Sequence, residues 1–284
     1  MSALAIRTMT RADLATALDW AAGENWNPGL DDTDAFLAAD ADGFLMGFLG
    51  DEPVASISVV RYGDRFGFLG FYICRPDFRG LGHGMALWQA GMTHLGERTI
   101  GLDGVVDQQA NYRKSGFALA HRNIRYGGPA TAEEIADARI VELEPARPEG
   151  LADAVVAYDR ALFTGQRDEF LRTWITPPGR RTVVYLVEDQ IRGYGSLRAC
   201  REGYKIGPLF ADSDAIAGRL FAALTGKLRG APVYLDIPEP NAAAQALAER
   251  CGLRPVFETA RMYRGPAPAE LLDRIFGITT FELG

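Results

Sequence analysis

Hydrophobic and polar positions along the chain predict the same order of elements twice. The opening, ALAIRTMTRADLATALDWAA, reads as a short strand, a turn and an amphipathic helix, and residues 138–163, ARIVELEPARPEGLADAVVAYDRALF, read the same way. Each half continues with two apolar runs around a polar turn, a hairpin signal. These are GFLMGFLGDEPVASISVV (43–60), turning at Asp51-Glu52-Pro53, and TVVYLVEDQIRGYGSLRA (182–199), turning at Glu188-Asp189-Gln190. A strand, a loop and a helix follow; in the first half the strand is FGFLGFYIC (66–74) and the helix MALWQAGMTHL (85–95). The strands TIGLDGV (99–105) and PVYLDIP (232–238) each carry a Leu-Asp pair, at Asp103 and Asp236, 133 positions apart. A helix, then Gly116-Phe117 or Gly252-Leu253, then a last strand, closes each half.

Matched order at a nearly fixed offset is the signature of an internal duplication, here with a domain-sized period. The pattern predicts two α/β domains with mixed sheets, residues 1–128 and 138–284, joined by a linker within GGPATAEEIAD (127–137).

Composition narrows the function classes. The 284 residues are 48% hydrophobic and 24% charged, with net charge −7, as in a soluble globular protein. No apolar run reaches the ~18 residues that span a bilayer, so no membrane is expected. No Lys/Arg cluster supplies the basic face of a nucleic-acid binder. The N-terminus lacks the layout of a signal peptide. Three cysteines, Cys74, Cys200 and Cys251, form no paired framework. Together these predict a cytoplasmic protein. His83, His94 and His121 have no metal-ligand spacing, so no metal is expected.

The chemistry concentrates in RPDFRGLGHGMALWQA (75–90), with glycines at 80, 82 and 84 between a strand and a helix. It lacks the Lys and hydroxyl of a nucleotide P-loop and the third glycine of a dinucleotide fingerprint. What remains is Arg-x-x-Gly-x-Gly at Arg79, Gly82 and Gly84. That pattern, after YIC at the strand end, resembles the acetyl-CoA loop of the GNAT superfamily of N-acetyltransferases. The resemblance runs through IGLDGV and NYRKSGF in the first half. The whole chain, with NWNPG (25–29), GYKIGPLFAD (203–212) and the TTFELG tail, is similar to tandem GNAT proteins.

The resemblance implies acetyl-CoA as cosubstrate. Arg79, Gly80, Leu81, Gly82, His83, Gly84 and Met85 would cradle its pyrophosphate, since backbone N–H groups at a helix N-terminus attract anions. Tyr72, Ile73 and Cys74 would pair with the pantetheine arm as an added strand would. It implies direct acyl transfer to an amine, with Tyr112 as the general acid that protonates the leaving thiolate. Asp103 is the candidate base or ammonium holder, or else a structural aspartate, and Glu24 is the alternative carboxylate. Trp26 is a candidate to cover a cationic or apolar acceptor face, or else a core tryptophan. Two departures stand out. Val105 occupies the position where many members have an Asn, and the helix after Asp103 is about one turn shorter than its counterpart.

In the second half the loop becomes FADSDAIAG (210–218), with Asp212 in place of Arg79 and Ala215 and Ala217 in place of Gly82 and Gly84. Ala248 stands at the general-acid position, while Asn241 matches the family's Asn. This half is expected not to bind acetyl-CoA in the usual way, but to wall the acceptor site. The acceptor expected is a small-molecule amine; a protein acetyltransferase and a non-catalytic acyl-CoA sensor are the alternatives. Acetyl specificity, acceptor identity and oligomeric state are not written in any residue.

Overall fold

A computed structural model describes residues 3–143, 150–176 and 179–284. The expected passage from strand to helix near residue 145 therefore lies partly outside the described residues. The first half runs β1 (Leu4–Thr8), α1 (Arg11–Gly23), α2 (Thr33–Ala39), β2 (Phe44–Leu49), β3 (Glu52–Tyr62), β4 (Phe66–Cys74), α3 (His83–Leu95), β5 (Thr99–Val105), α4 (Gln109–Lys114) and β6 (Ala118–Pro129). The second half repeats it as β7 (Ile140–Glu142), α5 (Leu151–Asp159), α6 (Asp168–Ile175), β8 (Arg180–Val187), β9 (Gln190–Ala199), β10 (Tyr204–Ala211), α7 (Asp214–Thr225), β11 (Pro232–Pro238), α8 (Ala242–Arg250) and β12 (Arg254–Arg264). A further strand, β13 (Ile275–Gly277), follows. The short helices α2 and α6 were not anticipated. The helix α3 starts two residues earlier than its apolar pattern.

The halves are not closed on themselves. One mixed sheet runs β1-β2-β3-β4-β5-β12-β6-β11-β10-β9-β8-β7. The last strand of each half has crossed over: β12 lies against β5 of the first half, and β6 against β11 of the second. The two crossed strands pair with each other antiparallel, with Asn123 opposite Thr259. The expected linker therefore begins later, since Gly127, Gly128 and Pro129 belong to β6. A Cβ at Gly127 would lie 2.8 Å from the Tyr234 ring, which is why this strand tolerates a glycine there.

Each crossing is fixed by a buried ion pair. On β12, Arg261 bonds Asp103 of β5 through Nε (2.9 Å) and Nη2 (2.8 Å). On β6, Arg125 bonds Asp236 of β11 through Nε (2.6 Å) and Nη2 (2.9 Å). All four side chains are almost fully buried. The two Leu-Asp strands thus hold their aspartates for the arginine arriving from the other half.

The chain after β13 lies across both halves. A Cβ at Gly207 would lie 2.4 Å from the Thr279 carbonyl oxygen, and one at Gly70 would lie 2.1 Å from that of Glu282. The Tyr62 hydroxyl donates to the Leu283 carbonyl oxygen at 3.0 Å. Residues 279–284 are buried throughout, so TTFELG is part of the core between the halves.

Candidate active site

The strands β4 and β5 are parallel and bonded only from Phe66–Thr99 to Leu69–Leu102. Beyond that point they diverge. Phe71 adopts a left-handed φ of 45°, and the register of β4 against β3 shifts between Ser56 and Ser58. Its carbonyl is held by the Ser56 hydroxyl at 2.8 Å. The backbone from Gly70 to Cys74 therefore faces β5 without a ladder partner, a strand edge that an extended ligand can join. Tyr72, Ile73 and Cys74 sit at this edge. The Tyr72 ring packs 5.3 Å from Trp88 of α3, and burial raises the Cys74 thiol above its ordinary value, opposed by the nearby Arg79.

The loop of glycines leads directly into α3. Gly80 and Gly82 have φ of 76° and 87°, a region that favours glycine. Space around both is open, so backbone conformation and not crowding selects glycine there. At Gly84 the reason is contact, because a Cβ would lie 3.0 Å from the Tyr72 hydroxyl. Gly82 is the N-cap of α3 and offers no side chain to cap it. The first-turn N–H groups of α3 thus have no side-chain cap at the loop. Leu81 and Met85 are exposed and His83 is half-buried.

Arg79 is exposed and reaches back from the loop. Its Nε donates to the Cys74 carbonyl at 2.8 Å, and its Nη2 to Glu24 Oε1 at 2.8 Å. This joins the glycine loop, the end of β4 and the end of α1. The segment after Glu24 is docked on the other half. Leu30 N–H donates to the Ala199 carbonyl at 3.0 Å, and the Asn27 amide donates to that of Glu202 at 2.9 Å. The Trp26 carbonyl accepts from Arg125 Nη1 (2.8 Å) and Lys205 Nζ (3.1 Å). Trp26 itself is half-buried against the main core.

Tyr112 lies on α4 beneath β5, its ring 5.9 Å from that of Trp88 and nearly parallel to it. A Cβ at Gly104 would lie 2.8 Å from the Tyr112 ring, so the glycine of LDGV makes room for it. Burial, reinforced by the nearby Tyr72, raises the Tyr112 phenol above its ordinary value, and it stays protonated at neutral pH. Asp103 is elsewhere. Adjacent residues of a strand face opposite ways, and Asp103 faces away from Tyr112. Its carboxylate has no exposed side-chain surface and is filled by Arg261 and by the Asn123 amide, which donates at 2.7 Å. A free base is not what the structure places at Asp103: both oxygens serve the strand crossing.

The second half treats the same places differently. The strands β10 and β11 pair from Tyr204–Val233 to Ile206–Leu235 and then diverge, as β4 and β5 do. Here β13 fills the gap. It pairs with β10, and Ile278 N–H donates to the Asp236 carbonyl at 2.8 Å. Asn241 caps α8, accepting from Ala244 N–H at 3.0 Å, and its amide donates to the Leu272 (2.9 Å) and Ile275 (3.0 Å) carbonyls of the filling segment. Helix α7 is capped by Ser213, and Asp214 accepts from Ala215 N–H. Asp212, in place of Arg79, is not a free charge in the loop: it is bonded by Arg274 and by the Tyr158 hydroxyl. The second cleft is closed by the chain itself.

Sequence reasoning missed Arg125, Arg261 and β13. A signal for the arginines was present: they fall 136 positions apart in the last strands, close to the spacing of the two aspartates. Among the described residues no group of three or more His, Cys, Asp or Glu is placed to hold a metal, and no helix is long and apolar enough to cross a membrane.

Comparison with known proteins agrees with this architecture. Family models described as acetyltransferase (GNAT) family and acetyltransferase (GNAT) domain match residues 11–117 and 155–277. A holothin acyltransferase from Pseudoalteromonas sp. (strain SANK 73390) is 33% identical over 267 residues, 94% of this chain and 90% of the relative. A putative acetyltransferase from Pyrococcus horikoshii shares the fold at TM-score 0.83 and 23% identity, covering 100% of this chain and 97% of that one. A tandem GNAT protein from the clavulanic acid biosynthesis pathway matches at TM-score 0.64 and 16% identity, covering 94% of this chain and 100% of that one. With both family models matched in order and the holothin relative covered over most of its length, this chain belongs to the GNAT superfamily of acyltransferases, as a tandem member carrying two GNAT domains.

Proposed function

We propose that the first half transfers an acetyl group from acetyl-CoA to the primary amine of a small molecule, directly and within a ternary complex. The observation that carries this reading is the open edge of β4 beside the uncapped N-terminus of α3, a place for an extended arm ending in a diphosphate. The residues Tyr72, Ile73 and Cys74 would bind the arm, and Arg79 to Met85 the diphosphate. The amine nitrogen attacks the thioester carbon, the C–S bond breaks, and an amide forms. Tyr112, kept protonated by burial, would donate to the departing sulfur and recover its proton from the amine side. Glu24, which accepts from Arg79, would be the carboxylate that meets an incoming amine. A small acceptor is favoured over a protein because the loop after α1 is bonded to the second half and the tail is buried between the halves. The relative named for holothin, itself an acyltransferase by name, supports the same reading.

Incubation with acetyl-CoA and a panel of amines, following free thiol and product mass, tests this function. Transfer to a small amine is expected, with Gly82→Trp abolishing both CoA binding and turnover. Retention of both in Gly82→Trp would overturn the site, and transfer to protein lysines alone would overturn the acceptor class.

A further inference from the structure

The loop after α1 has a backbone that few side chains adopt. Asn25 and Asn27 have left-handed φ of 64° and 50°, a conformation that asparagine tolerates better than most residues. They flank Trp26, whose N–H returns to the Ala21 carbonyl at 3.0 Å. The Trp26 carbonyl accepts from Arg125, on the crossed strand β6, and from Lys205 of β10. Asn27 is paired with Glu202 in both directions. Its amide donates to the Glu202 carbonyl at 2.9 Å, and its Oδ1 accepts from the Glu202 N–H at 3.2 Å. Gly29 and Leu30 then pair with Cys200 and Ala199 at the end of β9. The buried Asp32 carboxylate accepts from Gly29 N–H and from Arg180 Nη2, both at 2.8 Å, with Arg198 Nε 3.4 Å away. A Cβ at Gly29 would lie 2.4 Å from that carboxylate. The segment NWNPG is thus fitted to the second half residue by residue.

Lys205 stands out in this contact. It is 1% exposed, and burying an ammonium is costly even beside carboxylates. Those it faces are Asp236, already bonded by Arg125, and Glu282. The Trp26 carbonyl has a donor in Arg125, so satisfying that oxygen does not call for the lysine. Two cationic donors on one carbonyl fix its position from two directions. The consequence reaches the donor side. Two residues before Trp26, Glu24 bonds Arg79, and Arg79 bonds the Cys74 carbonyl at the open edge of β4. Where the loop stands on the second half therefore sets where Glu24 and Trp26 stand relative to that edge.

Resting on the acyltransfer reading above, we propose that Lys205 and the buried group Asp32, Arg180 and Arg198 are positioning residues for the acceptor. Through them the second half holds the loop that carries Glu24 and Trp26, and so sets where the amine meets the thioester. None of the four has to touch the amine. The donor side does not depend on them, because the glycine conformations and the start of α3 are local to residues 80–84. The second half, its own cleft filled by β13, keeps a part in the reaction as the template of this loop.

Two variants test this. Lys205→Met removes the ammonium but keeps an unbranched apolar stem. Asn27→Asp keeps a residue that tolerates the left-handed backbone but loses the amide donor to Glu202, at a half-buried position where the core is untouched. Steady-state kinetics with the panel amine of highest turnover are compared with calorimetry of CoA binding. Lys205→Met should raise the acceptor KM at least tenfold, with a smaller change in kcat and CoA affinity unaltered, and Asn27→Asp should shift the same KM in the same direction by a smaller factor. Should Lys205→Met not fold, Asn27→Asp decides. An unchanged acceptor KM, or a loss of CoA affinity in step with it, overturns this inference and leaves acyltransfer standing. Absence of CoA binding, or of transfer to any amine, in the native protein overturns both readings.

Discussion

The two halves share one plan and differ at one gap. In the first, β4 and β5 separate beyond Leu69 and Leu102, and the helix behind them starts at an uncapped glycine. In the second, β10 and β11 separate at the corresponding place, but β13 fills the space and Asn241 pins it. The second helix is capped by Ser213. Within one chain, the same divergence of strands leaves an open edge in one half and makes a packing site for β13 in the other. The reason is elementary: unpaired backbone groups must find partners, which residues 275–278 supply in the second half and the proposed CoA arm would supply in the first.

The comparison can be broken most directly at the two loops. Gly82→Trp should eliminate CoA binding, whereas Ala215→Trp, at the matching place in the second half, should leave it intact. Calorimetry should give one CoA per chain for the native protein, and two sites would refute the filled cleft.

Next in size are the paired crossings. Asp103→Asn and Asp236→Asn should each destabilise the fold by about 3–5 kcal/mol, because each leaves a buried arginine without its counter-charge. Denaturant unfolding checks this. A fully stable Asp103→Asn with turnover lost would instead restore that residue as a base.

Tyr112→Phe should lower kcat by on the order of 100-fold, about 2.7 kcal/mol, with CoA affinity little changed. Ala248→Tyr in the second half should create no activity. Steady-state kinetics with a reactive acceptor distinguishes these outcomes, and an unaltered kcat in Tyr112→Phe would remove it from the reaction.

The smallest effect concerns His121, which lies between the halves. Burial, with Arg261 beside it, lowers its pKa from 6.5 to about 4. Below pH 6.5 the unfolded chain takes up a proton that the folded chain refuses. Stability therefore falls as pH drops from 6.5 towards 4, by about 2 kcal/mol at pH 5. His121→Gln should flatten that part of the stability curve, measured by unfolding across pH 4–7.

Much of this was legible in the chain. The strands at 66–74, 99–105 and 232–238 fall where their apolar runs do, and the glycine loop precedes its helix as its spacing implies. Asp103 and Asp236 were visible as a repeated pair, but their role was not, since their partners lie 158 and 111 residues away in sequence. Trp26 was a visible candidate, and the structure half-buries it against the main core.

The sequence by itself determined the repeated order of elements, the glycine-rich helix start in one half and its loss in the other. These are local properties, set by apolar period and by which residues tolerate positive φ. Only the tertiary structure decided which half each last strand would join, what filled the second cleft and which aspartates were taken up in buried ion pairs. The strands β6 and β12 alternate alike and could complete either sheet. The choice is made by long-range register and by the buried pairs Arg261–Asp103 and Arg125–Asp236, which exist only once the strands have crossed.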